Sequence, residues 1–301
     1  MKKSDAIFIK LNSFILVFTF FFLWISVYFE DRVEDVFAYI LIFSFGILHG
    51  ANDLKLLQSA GGHSQKTGNL LRMTLYYVLF VLGSAALFYF FPLVALLWFV
   101  IFSAYHFGEQ HWVNKVKQQT ALEKTFFTVY GLCILLSLFL AHHVEVSDII
   151  DNITGFWPSV DFYTYPLYIC IFIFVLIYGI LIQQKKIDSK IAQELFFLLV
   201  FYIVFNTASL IWAFAIYFIL WHSLPSLADQ MKYLYGSISK RSFFKYLKSS
   251  SIYWGISVLG LALLFLIFKD SGKTTLLSFF FSFLAAITFP HVLVISKLNR
   301  R

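Results

Sequence analysis

The chain has 301 residues, of which 60% are hydrophobic and only 13% charged, with a mean hydropathy of +0.80. Soluble domains carry about 25% charged residues, so a water-soluble globule, a disordered chain and a collagen-like fibre are excluded and a polytopic membrane protein remains. The net charge of +7 comes from 23 Lys and Arg against 16 Asp and Glu; in a membrane protein this reflects basic cytoplasmic loops, with no nucleic-acid partner implied.

At the N-terminus, Met-Lys-Lys leads into an apolar run from Ile7 to Phe29. It is too long for a signal-peptide core and no small-x-small cleavage site follows, so it reads as the first transmembrane helix. Apolar runs recur at about 36–57, 70–91, 92–112, 122–142, 163–183, 191–206, 208–225, 250–268 and 276–297, each near the roughly 20 residues that a bilayer core requires. The expected fold is therefore all-α: a single transmembrane domain over 1–301 with about ten spans. Two pairs are tight, at Phe90-Phe91-Pro92 and at Asn206-Thr207-Ala208-Ser209. If each is one re-entrant unit, the count is eight. The segment 226–249 mixes Met231, Leu234, Phe243, Phe244 and Leu247 with lysines, which predicts a cytoplasmic amphipathic helix on the membrane surface. The two cysteines, Cys133 and Cys170, lie in apolar runs without CxxC or Cys–His spacing, so a disulfide scaffold, redox chemistry and structural zinc have no support.

Loop charges set the orientation. With the N-terminus cytoplasmic, the inner segments hold all the Lys and Arg except Arg32, Lys269 and Lys273, and acidic residues lean outward at Glu30, Asp31, Glu34, Asp35, Glu145, Asp148, Asp151 and Asp161. The bias appears at every hairpin, so both termini are expected in the cytoplasm.

Eight histidines occur. His63 falls in a Gly-rich inner loop, and His142 and His143 at the outer end of the fifth span; all three are expected to be solvated. His49, His106, His222 and His291 lie inside the second, fourth, eighth and tenth spans, about 13 to 15 residues from the outer end of each. At about 1.5 Å per residue they share one depth. An ionisable residue in a membrane span faces the bundle interior and marks function, and imidazole is a common ligand for Fe, Zn and Cu. Four at matched depth suit one intramembrane metal centre better than four separate polar contacts. Asp53 and Glu109, each one turn from a histidine, are candidates to orient imidazoles from behind. Gly50 and Gly108 suit close helix approach. His111, five residues after His106, points away from it and reads as interfacial.

The segments LHGANDLKLL, SAYHFGEQHW, LWHSLPSLADQ and TFPHVLVI resemble the four histidine motifs of the Brp/Blh family of bacterial and archaeal β-carotene 15,15′-dioxygenases. The resemblance runs from about Phe37 to Ile295 and leaves residues 1–30, the first span, outside. It implies an integral enzyme of the cell inner membrane that splits β-carotene with O₂ into two retinal molecules for a rhodopsin, using Fe(2+) held by histidines. His49, His106 and His222 match three ligand positions. Many relatives carry a further histidine four residues after the one matching His222, where this chain has Ser226. The fourth ligand stays open at that point: His291 is preferred on depth, Ser226 becomes a supporting residue, and a three-histidine site with water is the fallback. Tyr105, Phe107, Tyr217, Trp221 and Phe289 are candidate polyene-lining residues. The expected chemistry is addition of O₂ across the central double bond and collapse of a dioxetane-like intermediate to two aldehydes. A di-iron desaturase needs about eight clustered histidines in HxxxH and HxxHH boxes, which this chain lacks. A haem-binding electron carrier or a transporter is the non-enzymatic alternative.

Overall fold

A computed structural model describes the backbone of residues 3–60 and 67–299 and the side chains of 11–60 and 71–298. His63 lies outside the described residues. Among them every regular element is helical, and one isolated antiparallel bridge, Val116 to Ile187, pairs two loops. Hydrocarbon offers backbone N–H and C=O groups no partner, so a helix, which satisfies its own, is the natural spanning element. Among the described residues nine helical runs are long and apolar enough to cross a membrane: Leu11–Tyr28, Asp31–Ala60, Leu71–Phe90, Pro92–Trp112, Ala121–Ala141, Asp161–Gln183, Leu210–Tyr235, Lys240–Ile267 and Lys273–Leu298. They coincide with nine of the ten expected spans. The tenth, at 191–206, is a helix of 17 residues, Ile191–Thr207, shorter than the roughly 20 that a full crossing takes. Lipid-type faces are evident: Lys240–Ile267 exposes Ile252, Ile256, Leu259, Leu263 and Leu266 along its length.

Both expected corners are present. Phe91 leaves helical geometry and Pro92 opens the next helix, where its missing N–H would be unpaired in any case. At the second corner Ala208 is extended. The Ser209 N–H there donates to the Glu34 carboxylate at 2.7 Å. Glu34 is thus buried as a helix cap. Over 226–249 the chain forms the end of one helix and the start of the next. Leu224–Tyr235 continues the Leu210–Tyr235 run and ends at Gly236 in the left-handed region (φ 75°). Residues 240–249 are the first turns of Lys240–Ile267, capped by the Ser239 hydroxyl. An outer helix, His143–Thr154, fills what reads as a loop and half-buries His142 and His143. Its buried face carries Val146 and Ile149, and the Ser147 hydroxyl joins Pro158 O and the Tyr163 hydroxyl, each at 2.8 Å.

The chain divides into two units, one of Met1–His49 and Lys190–Ile238, the other of Gly50–Ser189 and Ser239–Arg301. In the first, the N-terminal helix is tied to the Leu210–Tyr235 run by two indoles. Trp212 Nε1 donates to Phe22 O at 3.2 Å and Trp221 Nε1 to Thr19 Oγ1 at 3.0 Å. Two stretches here are wound as π-helix, Ile42–Gly46 and Ile216–Ser223. In the second unit, Pro92–Trp112 and Ala121–Ala141 meet backbone to backbone. A Cβ on Gly108 would stand 1.8 Å from Phe127 O, and one on Gly131 the same distance from Ala104 O. Gly108 therefore does what its place in the sequence suggests. Gly50 does not need to be glycine, since a Cβ there meets only the His291 ring at 3.5 Å, an ordinary contact. Val129, Cys133, Leu136, Leu167 and Cys170 form a buried cluster, and both cysteines are free thiols within it.

Candidate metal centre

In the first unit the structure brings His49 and His222 together, with ring centroids 5.3 Å apart and planes at 88°. Both are buried. His49 follows the π-helical turn Ile42–Gly46, and its Nδ1–H donates to the carbonyl of Gly46. A carbonyl only accepts, so the proton sits on Nδ1 and the neutral ring carries its lone pair at Nε2. The helix stops at Gly50, with Ala51 and Asn52 in a turn, which leaves the His49 carbonyl at a helix end. Gln230 Nε2 donates to that carbonyl at 2.8 Å and to Ser226 Oγ at 3.1 Å. His222 closes the second π-helical stretch, just before Leu224-Pro225. Phe218 stacks on His222 (5.7 Å, 17°) and meets His49 edge-on (5.5 Å, 75°). A widened turn next to each histidine of this pair fits the habit of π-bulges to occur at functional sites.

The second unit repeats the arrangement with His106 and His291, 5.1 Å apart with planes at 84°, again both buried. His291 Nδ1 donates to Asp53 Oδ1 at 2.8 Å, and the Tyr77 hydroxyl donates to Asp53 Oδ2 at 2.8 Å. By the same logic as in His49, the carboxylate fixes the His291 proton on Nδ1 and its lone pair on Nε2. The turn that carries Asp53 is itself pinned: Asn52 Nδ2 donates to Tyr246 O at 3.2 Å and the Ser249 hydroxyl to Asn52 Oδ1 at 2.8 Å.

The remaining sequence candidates fall around these pairs. Asp53 holds a histidine as expected, though it holds His291 and not its own neighbour His49. Glu109 is buried and accepts the Tyr105 hydroxyl at 2.8 Å. Phe107 is buried, and Phe289 meets Phe102 edge-on at 5.6 Å and lies 6.5 Å from Phe88. Tyr217 is buried edge-on to Phe201 (5.2 Å). Trp221 is wedged between Phe197 (4.9 Å) and Phe201 (4.8 Å) with its N–H given to Thr19. His111 stacks on Tyr130 (4.9 Å, 23°) with Lys115 Nζ 2.9 Å from its Nε2, in keeping with an interfacial role. Sequence reasoning missed Gln230, Tyr77 and both π turns. Gln230 had a signal, because it follows Ser226 by four residues on one helix face. Tyr77 had none, since nothing local links it to Asp53.

The donor set suits a borderline metal. Imidazole nitrogens match Fe, Zn and Cu, and a buried carboxylate supplies compensating negative charge. A family model described as Beta-carotene 15,15'-dioxygenase matches residues 40–299, most of the chain. No curated protein and no solved structure is detectably similar.

Proposed function

The chain belongs to the β-carotene 15,15′-dioxygenase family and is a carotene-cleaving dioxygenase of the membrane, and we propose that it works through one iron held by His49, His106, His222 and His291. The observation that carries this reading is the repeated pairing. Each unit contributes two buried imidazoles at right angles, and in each pair one ring has its Nδ1–H tied to a fixed acceptor. A ring held in this way offers Nε2 to a metal in a set orientation. His291 takes the fourth position, and Ser226 acts through Gln230 on the His49 backbone.

Iron(II), when bound, supplies the O₂ binding and electron donation that no side chain here offers. The chain supplies the rest. Asp53 and Tyr77 hold the His291 ring, and Gly46 and Gln230 hold the His49 segment. Trp221, gripped by Phe197, Phe201 and Thr19, positions the turn that bears His222. Phe107, Phe289, Tyr105 and Tyr217 form apolar wall for a polyene. β-Carotene is a hydrocarbon, so it reaches a site in the bilayer without losing any hydrogen bond to water. Cleavage breaks the C15–C15′ double bond and the O–O bond and forms two C=O bonds, so one O₂ is consumed and two retinal molecules result. The balance needs no proton. We place both termini in the cytoplasm and the protein in the cell inner membrane on the loop-charge bias, with lipid as its surroundings and a rhodopsin as the recipient of retinal.

Expression in a β-carotene-accumulating bacterium tests the reading. Bleaching with retinal as the chromatographic product, and about one iron per purified chain, is expected. A His49→Ala protein that makes retinal at the wild-type rate defeats the iron assignment. Bleaching to products of another length defeats central cleavage.

A further inference from the structure

Several hydroxyls in the helices of this chain return to their own backbone. Thr19 donates to Ile15 O, Ser84 to Phe80 O, Ser250 to Tyr246 O and Thr288 to Leu284 O. Ser103 breaks this habit. It is 3% exposed, and its Oγ has no hydrogen-bond partner among the described residues. A buried hydroxyl left unpaired costs about 1–3 kcal/mol, and a membrane span has no nearby water to relieve it.

Its position gives the hydroxyl a use. Ser103 stands one turn before His106 on Pro92–Trp112, about 60° round the helix axis from it, and His106 is the ring that pairs with His291. Phe102, its neighbour in the chain, packs edge-on to Phe289, two residues before His291. A neutral donor one helical turn from an imidazole of the proposed centre matches a ligand that is hydrocarbon except for one acceptor atom. Ser223, also buried without a hydrogen-bond partner, follows His222 directly and so projects roughly a quarter turn away from that ring.

We infer that Ser103 is a catalytic residue that donates a hydrogen bond to the oxygen appearing on the cleaved carbon, and so holds an aldehyde product in the site. This rests on the proposed function. The carotene offers the hydroxyl nothing to bond; the nascent carbonyl does. The interaction therefore grows as the C=O forms and favours product-like states over the bound substrate, which is the requirement for raising kcat without changing KM.

The test is the vibrational spectrum of retinal bound to the iron-loaded protein without O₂, together with steady-state cleavage of β-carotene. In the wild type the aldehyde C=O stretch is expected below its position in a hydrocarbon solvent. Ser103→Ala moves it back to the solvent value, weakens retinal binding about threefold to tenfold and lowers kcat with KM unchanged. Ser103→Thr keeps the wild-type band, and Ser103→Cys, of similar volume but a weak donor, behaves as the alanine variant. An active Ser103→Ala protein whose bound retinal keeps the wild-type band overturns the assignment and leaves the proposed function intact. A wild-type protein that forms no retinal from β-carotene removes the function, and Ser103 with it.

Discussion

Replacing Gly108 by alanine tests whether close contact between two helices is what places His106. The added Cβ falls 1.8 Å from the Phe127 carbonyl oxygen and 2.5 Å from its carbon. Real Cβ contacts begin near 3.0 Å, so the Pro92–Trp112 and Ala121–Ala141 helices must part by about 1.2 Å, the difference between 1.8 and 3.0. The obstacle is backbone, which has no rotamer to escape into, and a close-packed interior does not yield cheaply. Overpacking costs about 1–3 kcal/mol in ordinary cores, and the upper end is expected here. His106 is two residues away on the same helix. Misplacement of a reacting group by about 1 Å lowers rates on the order of 100-fold. We expect Gly108→Ala to melt earlier in detergent, to bind iron poorly and to lose one to two orders of magnitude of retinal formation. Gly50→Ala, whose Cβ would meet only the His291 ring at 3.5 Å, serves as the comparison and should stay near wild type. If Gly108→Ala melts at the wild-type temperature with full iron content, the steric reasoning is wrong.

Further outcomes can be stated with their measurements. Asp53→Ala should weaken iron binding in a metal titration by about 10- to 100-fold. Asp53→Asn, which keeps an acceptor for His291 Nδ1–H, should lose less, and Tyr77→Phe less again. Gln230→Leu withdraws a donor from the His49 carbonyl, so a stability loss of about 1–3 kcal/mol should appear as a lower melting temperature, accompanied by reduced iron content. His111→Ala, away from both histidine pairs, should retain its iron; metal loss there would return His111 to the ligand list.

The architecture was legible because a bilayer imposes simple rules. Twenty apolar residues and a basic inner loop are local signals, and nine of the ten expected spans coincide with long apolar helices. Within 226–249, sequence does not mark the break at Gly236 between one helix and the next. The capping role of Glu34 left no local trace, because the Ser209 N–H that it accepts lies 175 positions away. The histidines stood out because burying an imidazole in a membrane is costly enough to be rare. Their partners did not. The Asp53–His291 contact spans 238 positions, and no local pattern records it. Nor does sequence mark the π turns, since one residue more per turn leaves hydropathy almost unchanged.

The first helix has a bearing on how this enzyme may be trimmed or fused. It lies wholly ahead of residue 40, where the family match begins, yet it accepts the indole protons of Trp212 and Trp221. A version started at residue 30, which keeps Glu34, would strand two N–H groups, one of them next in sequence to His222. Such a protein should be rescued by supplying the missing segment as a separate peptide, or by changing both tryptophans to phenylalanine. What looks like a removable leader is an internal solvent for two donors that the bilayer cannot satisfy.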